Sequence, residues 1–290
     1  MDWGQEKLYN EIMDNEQKIA EIEAELSNLD NRRSQLLDEL AQLRQQSLSK
    51  VAPAQLSLHL QQSTINHQSS EDGKIRLFRS LFKGREDLFP RRFENAKTGK
   101  SGYAPVCRNE WVTGICQKPK IACADCDSRA FVPVSDDIIR CHLKGTDVGE
   151  RNGKDFTIGV YPLLTDETCW FLAVDFDKST WTEDAKAFLD TCFSYQVPAT
   201  LERSRSGNGG HVWIFFETPV PAVQARKLGT FLLTSTMNRR PEIGMDSYDR
   251  LFPSQDTLPR GGFGNLIALP LQKKPREQNN SIFVDHDFNP

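Results

Sequence analysis

Long apolar runs are missing from this 290-residue chain. No stretch comes near the ~20 consecutive apolar residues that a membrane-spanning helix needs, so a membrane is not an expected partner. The opening Met1-Asp2-Trp3-Gly4-Gln5-Glu6 lacks the basic and apolar segments of a secretion signal, which points to a cytoplasmic protein. Internal repeats are absent as well. Glycine and proline do not occur between residues 5 and 47, so nothing in that stretch interrupts a helix. A surplus of positive charge is also lacking: the formal net charge is −4, which at first argues against a polyanionic partner.

The distribution of charge changes that reading. Residues 1–50 carry eleven acids against six bases, whereas residues 74–130 carry thirteen bases against six acids. A basic segment inside an acidic chain is a candidate phosphate-binding face. With 38% hydrophobic and 26% charged residues, the composition otherwise fits a soluble chain with a sizeable core. Of seven cysteines, four crowd into residues 107–126, a pattern that favours metal binding over disulfides in a cytosolic setting.

Three stretches follow one another. In residues 5–47, Leu8, Ile12, Ile19, Ile22, Leu26, Leu29, Leu36, Leu40 and Leu43 recur in three- and four-residue steps, with Asn15 and Arg33 as polar interruptions. That is a heptad seam, and it predicts a coiled-coil helix over residues 1–48 that pairs with a second copy or a partner. Residues 49–73, rich in Ser, Gln, Pro and His, read as a linker. From residue 74 onward the pattern is that of an α+β domain. Strands are expected at 156–161, 169–177, 199–203, 211–216 and 265–271. Helices are expected after a capping box at Thr180–Glu183 and over 222–237, lying on one face of the sheet.

Three constellations could carry chemistry. Leu172-Ala173-Val174-Asp175-Phe176-Asp177 is an apolar run ending in two carboxylates that alternation places on one face. Two such groups at the end of a buried strand repel each other, and a hard divalent cation, Mg²⁺ or Mn²⁺, resolves the conflict. Arg203-Ser204-Arg205-Ser206-Gly207-Asn208-Gly209-Gly210-His211 is a glycine-rich turn running into a strand. Its backbone amides, serines and arginines suit a triphosphate, although this segment holds no Gly-Lys-Ser/Thr. Met245 to Asp256 supplies Asp246, Asp249 and Asp256, one of which could complete the carboxylate site. Separately, Cys107, Cys116, Cys123 and Cys126 have the spacing of a closed four-thiolate zinc site within residues 105–130.

Together these motifs resemble the archaeo-eukaryotic primase superfamily. The text Cys107-Arg108-Asn109-Glu110-Trp111, the four cysteines, Tyr248-Asp249-Arg250-Leu251-Phe252-Pro253-Ser254-Gln255-Asp256 and Gly264-Asn265-Leu266-Ile267-Ala268-Leu269-Pro270-Leu271-Gln272 look like the primase-polymerase domain of TOTE conflict systems; CRISPR-associated primase-polymerases are similar. The resemblance implies an RRM-like catalytic sheet over residues 74–290. It also implies template-directed nucleotidyl transfer on single-stranded DNA, with or without a primer, from nucleoside triphosphates. By the same resemblance, Asp175, Asp177 and a third acid, Asp249 in preference to Asp246, hold two catalytic ions, and His211 meets the nucleotide's phosphates. Arg203, Ser204, Ser206, Asn208, Gly209 and Arg250 are the other candidate triphosphate contacts. Helicase and nuclease regions are the partners implied. A metal-dependent nuclease and a non-catalytic DNA-binding module are the rival readings.

Overall fold

Alternation of apolar residues builds the centre of the domain. In the computed structural model, which describes residues 68–147, 155–239 and 250–290 and ten helical residues between Gln17 and Gln35, the chain divides into two compact units, Met1–Thr64 and Ile65–Pro290. In the larger unit, strands β4 (Thr168–Phe176), β5 (Thr200–Arg203), β6 (Gly210–Pro221), β7 (Arg250–Phe252) and β9 (Ile282–Val284) form one sheet in the order β7-β4-β6-β5-β9. Every pair in it is antiparallel. Two smaller sheets pair β1 (Pro90–Glu94) with β2 (Ser101–Pro105), and β3 (Gly159–Val160) with β8 (Ile267–Ala268).

Side chains of β4 separate into two cores. Leu172, Val174 and Phe176 pack with Ala185, Phe188 and Cys192 of helix α3 (Trp181–Ser194) and with Leu232 and Leu233 of α4 (Ala222–Arg239). Phe171 and Ala173 point the other way and join Trp213, Phe78, Phe82 and Ile139. The last three belong to, or directly follow, helices α1 (Glu71–Leu81) and α2 (Asp136–Lys144), so helices cover both faces rather than the single face expected. The reason is that both faces of β4 and β6 are apolar along their central residues, and each needs a cover. Ser70 and Ser135 cap the two helices by accepting from Gly73 N–H and Ile138 N–H at 3.1 and 3.3 Å.

Three sequence expectations are corrected in detail. The strands expected at 156–161 and 265–271 shrink to two-residue pairings, β3 and β8, outside the main sheet. Asp177 lies just past the end of β4, so it is a loop residue. Thr180 is the N-cap of α3 but makes no capping bond; its hydroxyl donates to Asp184 at 2.8 Å, and the capping box does not form. Of the heptad seam only Ile22, Leu26 and Leu29 are among the described residues; they are helical and more than half exposed, and the rest of the expected coiled coil lies outside them. Among the described residues no helix is long and apolar enough to cross a membrane.

His142 of α2 is fully buried with both ring nitrogens in use. Nε2 donates to the Pro270 carbonyl at 2.8 Å and Nδ1 accepts from the Ile158 amide at 3.2 Å. Burial pushes its pKa down to about 4, against the Pro270 bond, which favours the charged form. Between that value and the ordinary histidine range near 6.5, the unfolded chain binds the extra proton and the folded chain does not. Stability should therefore be full above about pH 6.5 and fall as pH drops toward 4, by up to about 3 kcal/mol from this group. Urea midpoints measured at pH 7 and pH 5 check this, and a drop between the two no larger in wild type than in His142→Gln would contradict it.

Candidate active site

The pairing of β4 with β6 sets Asp175 opposite His211, and the pairing of β4 with β7 sets Asp175 opposite Arg250. Partners across antiparallel strands project to the same side, so all three share the face that carries Ala173 and Trp213. Asp175 and His211 are both mostly buried, with His211 Nε2 at 3.5 Å from Asp175 Oδ1. Arg250 is exposed. Asp177 is half exposed and its Oδ1 lies 3.3 Å from Lys178 Nζ.

The hairpin from β5 to β6 contains the glycine-rich turn. It closes through Ser204 N–H to the Gly209 carbonyl at 2.9 Å, with Gly207 at φ +77°. A side chain at Gly209 would meet the Phe176 carbonyl oxygen at 2.8 Å, so only glycine lets the turn lie against the end of β4. Ser204 and Ser206 hydroxyls lie 3.2 Å apart, and the Asn208 amide donates to Ser206 Oγ at 3.2 Å. These small polar groups, the turn's backbone and the carboxylates of β4 thus gather at one end of the sheet.

Arg203 does not join them. Alternation along β5 puts Leu201 and Arg203 on the helix-covered face, and the Arg203 guanidinium donates to the carbonyls of Asn279 and Phe288 at 2.9 and 2.7 Å. Two of its five N–H donors thus bond the carboxy-terminal segment, on the face opposite Asp175 and His211. Arg205, two residues on, is bonded to Asp155 at 2.6 Å and to Gln272. Asp256 pairs with Arg226 of α4. Asp246 and Asp249 lie outside the described residues, and Arg250 is the first described residue after them.

Glu202 is the residue that motif reading missed. It is 2% exposed, yet it accepts from His211 Nδ1 at 2.9 Å and from Trp213 Nε1 at 3.1 Å. Ser281 Oγ donates to its second oxygen at 3.4 Å. The signal was in the hairpin arithmetic: Glu202 is the register partner of His211 across a closed turn, and a buried acid needs a partnered charge. Burial disfavours protonated His211, but the charges of Glu202 and Asp175 outweigh it and raise the imidazole's pKa above its ordinary value. With Nδ1–H held by Glu202, Nε2 is the nitrogen presented toward Asp175 and the open end of the sheet.

The four clustered cysteines are all free and partly buried, and they line one pocket with Lys118 and Ile121. Cys107 Sγ accepts the Ala130 amide at 3.3 Å, and Cys123–Asp125 forms a short 3₁₀ turn. Four reduced thiols around one pocket, with a lysine beside them, are a donor set suited to zinc. Among the described residues, however, no three potential ligands come together closely enough to hold an ion. The same holds for Asp175 and Asp177, whose oxygens are nonetheless hard donors, the first on a rigid strand.

An antiparallel sheet bearing an acid near the end of an interior strand, a register-paired histidine and a glycine-rich turn is consistent with a primase-type domain. Residues 73–290 match the family described as TOTE conflict system, Archaeo-Eukaryotic Primase domain, and the chain belongs to that family. The family is one of primase-type nucleotidyltransferases of conflict systems. No curated protein matches the chain.

Replacing Glu202 with Gln removes the charge that opposes burial at His211. The imidazole pKa should fall, because desolvation then acts against Asp175 alone. Titration of the ring resonances by NMR reads this directly; an unchanged pKa in a folded variant would show that Glu202 does not set the charge of His211.

Proposed function

We propose that this domain is a DNA primase-polymerase that joins nucleotides on a single-stranded DNA template. The observation that carries the reading is the register-paired Asp175 and His211 beside the glycine-rich turn, in a chain of the primase family. In this reading Asp175 and Asp177, with Asp249 or Asp246 as third acid, hold two Mg²⁺ or Mn²⁺ ions. When bound, such ions lower the pKa of an attacking hydroxyl and stabilise charge on the leaving oxygens.

The chain's own residues have separate tasks. Ser204, Ser206, Asn208 and the amide of Gly209 bind the triphosphate tail by hydrogen bonds, with Arg250 contributing charge. His211, positioned by Glu202, directs Nε2 toward the phosphates, where a positive imidazole offsets charge that builds on the leaving group. The 3′-hydroxyl of a primer, or of an initiating nucleotide, attacks the α-phosphorus and pyrophosphate departs. The buried Trp213 ring, 6.2 Å from the His211 ring, gives the site an apolar floor on which these electrostatic contacts are strengthened.

The remaining assignments follow from the same reading. Cys107, Cys116, Cys123 and Cys126 bind one structural zinc within 105–130, pinning a loop rich in Lys and Arg. Residues 1–48 form a coiled coil for self-association or partner docking, and residues 49–73 link it to the catalytic domain at 74–290. Helicase and nuclease domains of the conflict system are the expected partners.

Asp175→Ala combined with Asp177→Ala should abolish synthesis, by at least about a hundredfold, while zinc content and thermal midpoint stay near wild type. A labelled-nucleotide assay on single-stranded DNA, with and without primer, is the check. Near wild-type synthesis by the double variant would overturn the metal-site assignment. Template shortening without extension would favour the nuclease.

A further inference from the structure

The β1–β2 hairpin and the cysteine loop enclose a cleft of about 1010 Å³ that none of the catalytic residues line. Phe93, Trp111, Arg91, Arg92, Lys118 and Lys274 form its walls. That volume is at the upper end of the roughly 300–1,000 Å³ of small-molecule pockets, and the cleft is open-sided. Two aromatic side chains stand exposed in it, Trp111 at 68% and Phe93 at 50%. Exposed aromatics normally cost solubility, so two in one cleft call for a ligand.

Both rings are held in place. Phe93 pairs in register with Gly102, where an added Cβ would come within 3.0 Å of the ring, so one side of the ring rests on the glycine backbone. Trp111 is held at φ +61°, a left-handed conformation costly for a bulky residue. Lys118 Nζ approaches its ring at 5.8 Å. Three of the cleft's four cations pair with acids: Arg91 with Asp147 at 2.8 Å, Arg92 with Glu94 at 3.3 Å and Lys118 with Glu110 at 2.7 Å. A groove meant only for phosphates would not carry those acids at its walls. Fixed aromatic faces with balanced charge suit unstacked bases better than a duplex backbone.

The cleft also reaches the glycine-rich turn: Asp155, one of its lining residues, accepts from Arg205 Nη2 at 2.6 Å. We propose that this cleft binds single-stranded DNA, with Phe93 and Trp111 as platforms on which successive bases stack. This rests on the reading of the domain as a primase-polymerase, and makes the hairpin and cysteine loop the guide for unpaired template.

Binding is measured on the full chain by fluorescence anisotropy of a labelled oligo-dT, without nucleotide or divalent metal, so that no turnover is involved. Trp111→Ala and Phe93→Ala should each weaken affinity about tenfold, and Trp111→Phe should recover most of the loss. Because both rings are exposed, the variants should keep the wild-type thermal midpoint. Raising salt should weaken binding less steeply than in a purely cationic groove. Unchanged affinity in both alanine variants would overturn the proposal, as would equal affinity for duplex DNA. If any of these came with normal synthesis on a primed template, the catalytic reading would stand and only the stacking cleft would fall.

Discussion

Pairing of β4 with β6 is the constraint on which the molecule's chemistry depends. Side chains alternate along a strand, so a slip of one residue would send Asp175 into the helix-packed core and bring a leucine or valine out in its place. The register is held by apolar pairs on both faces: Leu172 opposite Ile214 and Val174 opposite Val212 under α3 and α4, and Ala173 opposite Trp213 on the side of α1 and α2. Two packed faces leave the strand no alternative alignment. The position of an acid beside a histidine is thus a by-product of hydrophobic burial a few residues away.

A buried carboxylate at Glu202 is the cost that this arrangement carries. An isolated charge there would be strongly unfavourable, and its removal would orphan the donors of His211 and Trp213 at about 1–3 kcal/mol each. The network is satisfied because three donors meet two oxygens: imidazole, indole and the Ser281 hydroxyl. Such a fully bonded hub rigidifies the imidazole in one tautomer, which is what a group facing phosphate needs. The exposed ion pairs that join α1 to α2, Arg79 with Asp136 and Arg140 with Glu71, are different in kind: solvent screens them, and each contributes little to stability.

The two parts of the domain divide the labour. The five-stranded sheet supplies a rigid platform, and the segment from β1 through the cysteine loop supplies a surface rich in cations and aromatics. Loops placed on a rigid scaffold are the usual carriers of recognition, because they can vary without disturbing the core. Here the cysteine loop is tied at its base, where Cys107 bridges to Phe131, and the Arg108 amide donates to the Ala130 carbonyl at 2.9 Å.

Local pattern determined much of this protein. The apolar strand that carries Asp175, the hairpin turn and the positions of β5, β6 and the two helices on one face were legible because alternation and helical spacing act within a few residues. The clustered cysteines were visible for the same reason, and the family text identified the class. Other features were decided only by the assembled fold. Arg203 and Arg205 are two residues apart in similar text, yet the first bonds the carboxy-terminal segment and the second bonds Asp155; the strand ends between them, and the partners come from distant segments. Glu202 has no motif of its own, and its role exists only because the closed turn sets it against His211. The second helical cover, the two-residue pairing of β3 with β8 and the cleft between Phe93 and Trp111 also join residues far apart in the chain, and no local periodicity encodes contacts of that range.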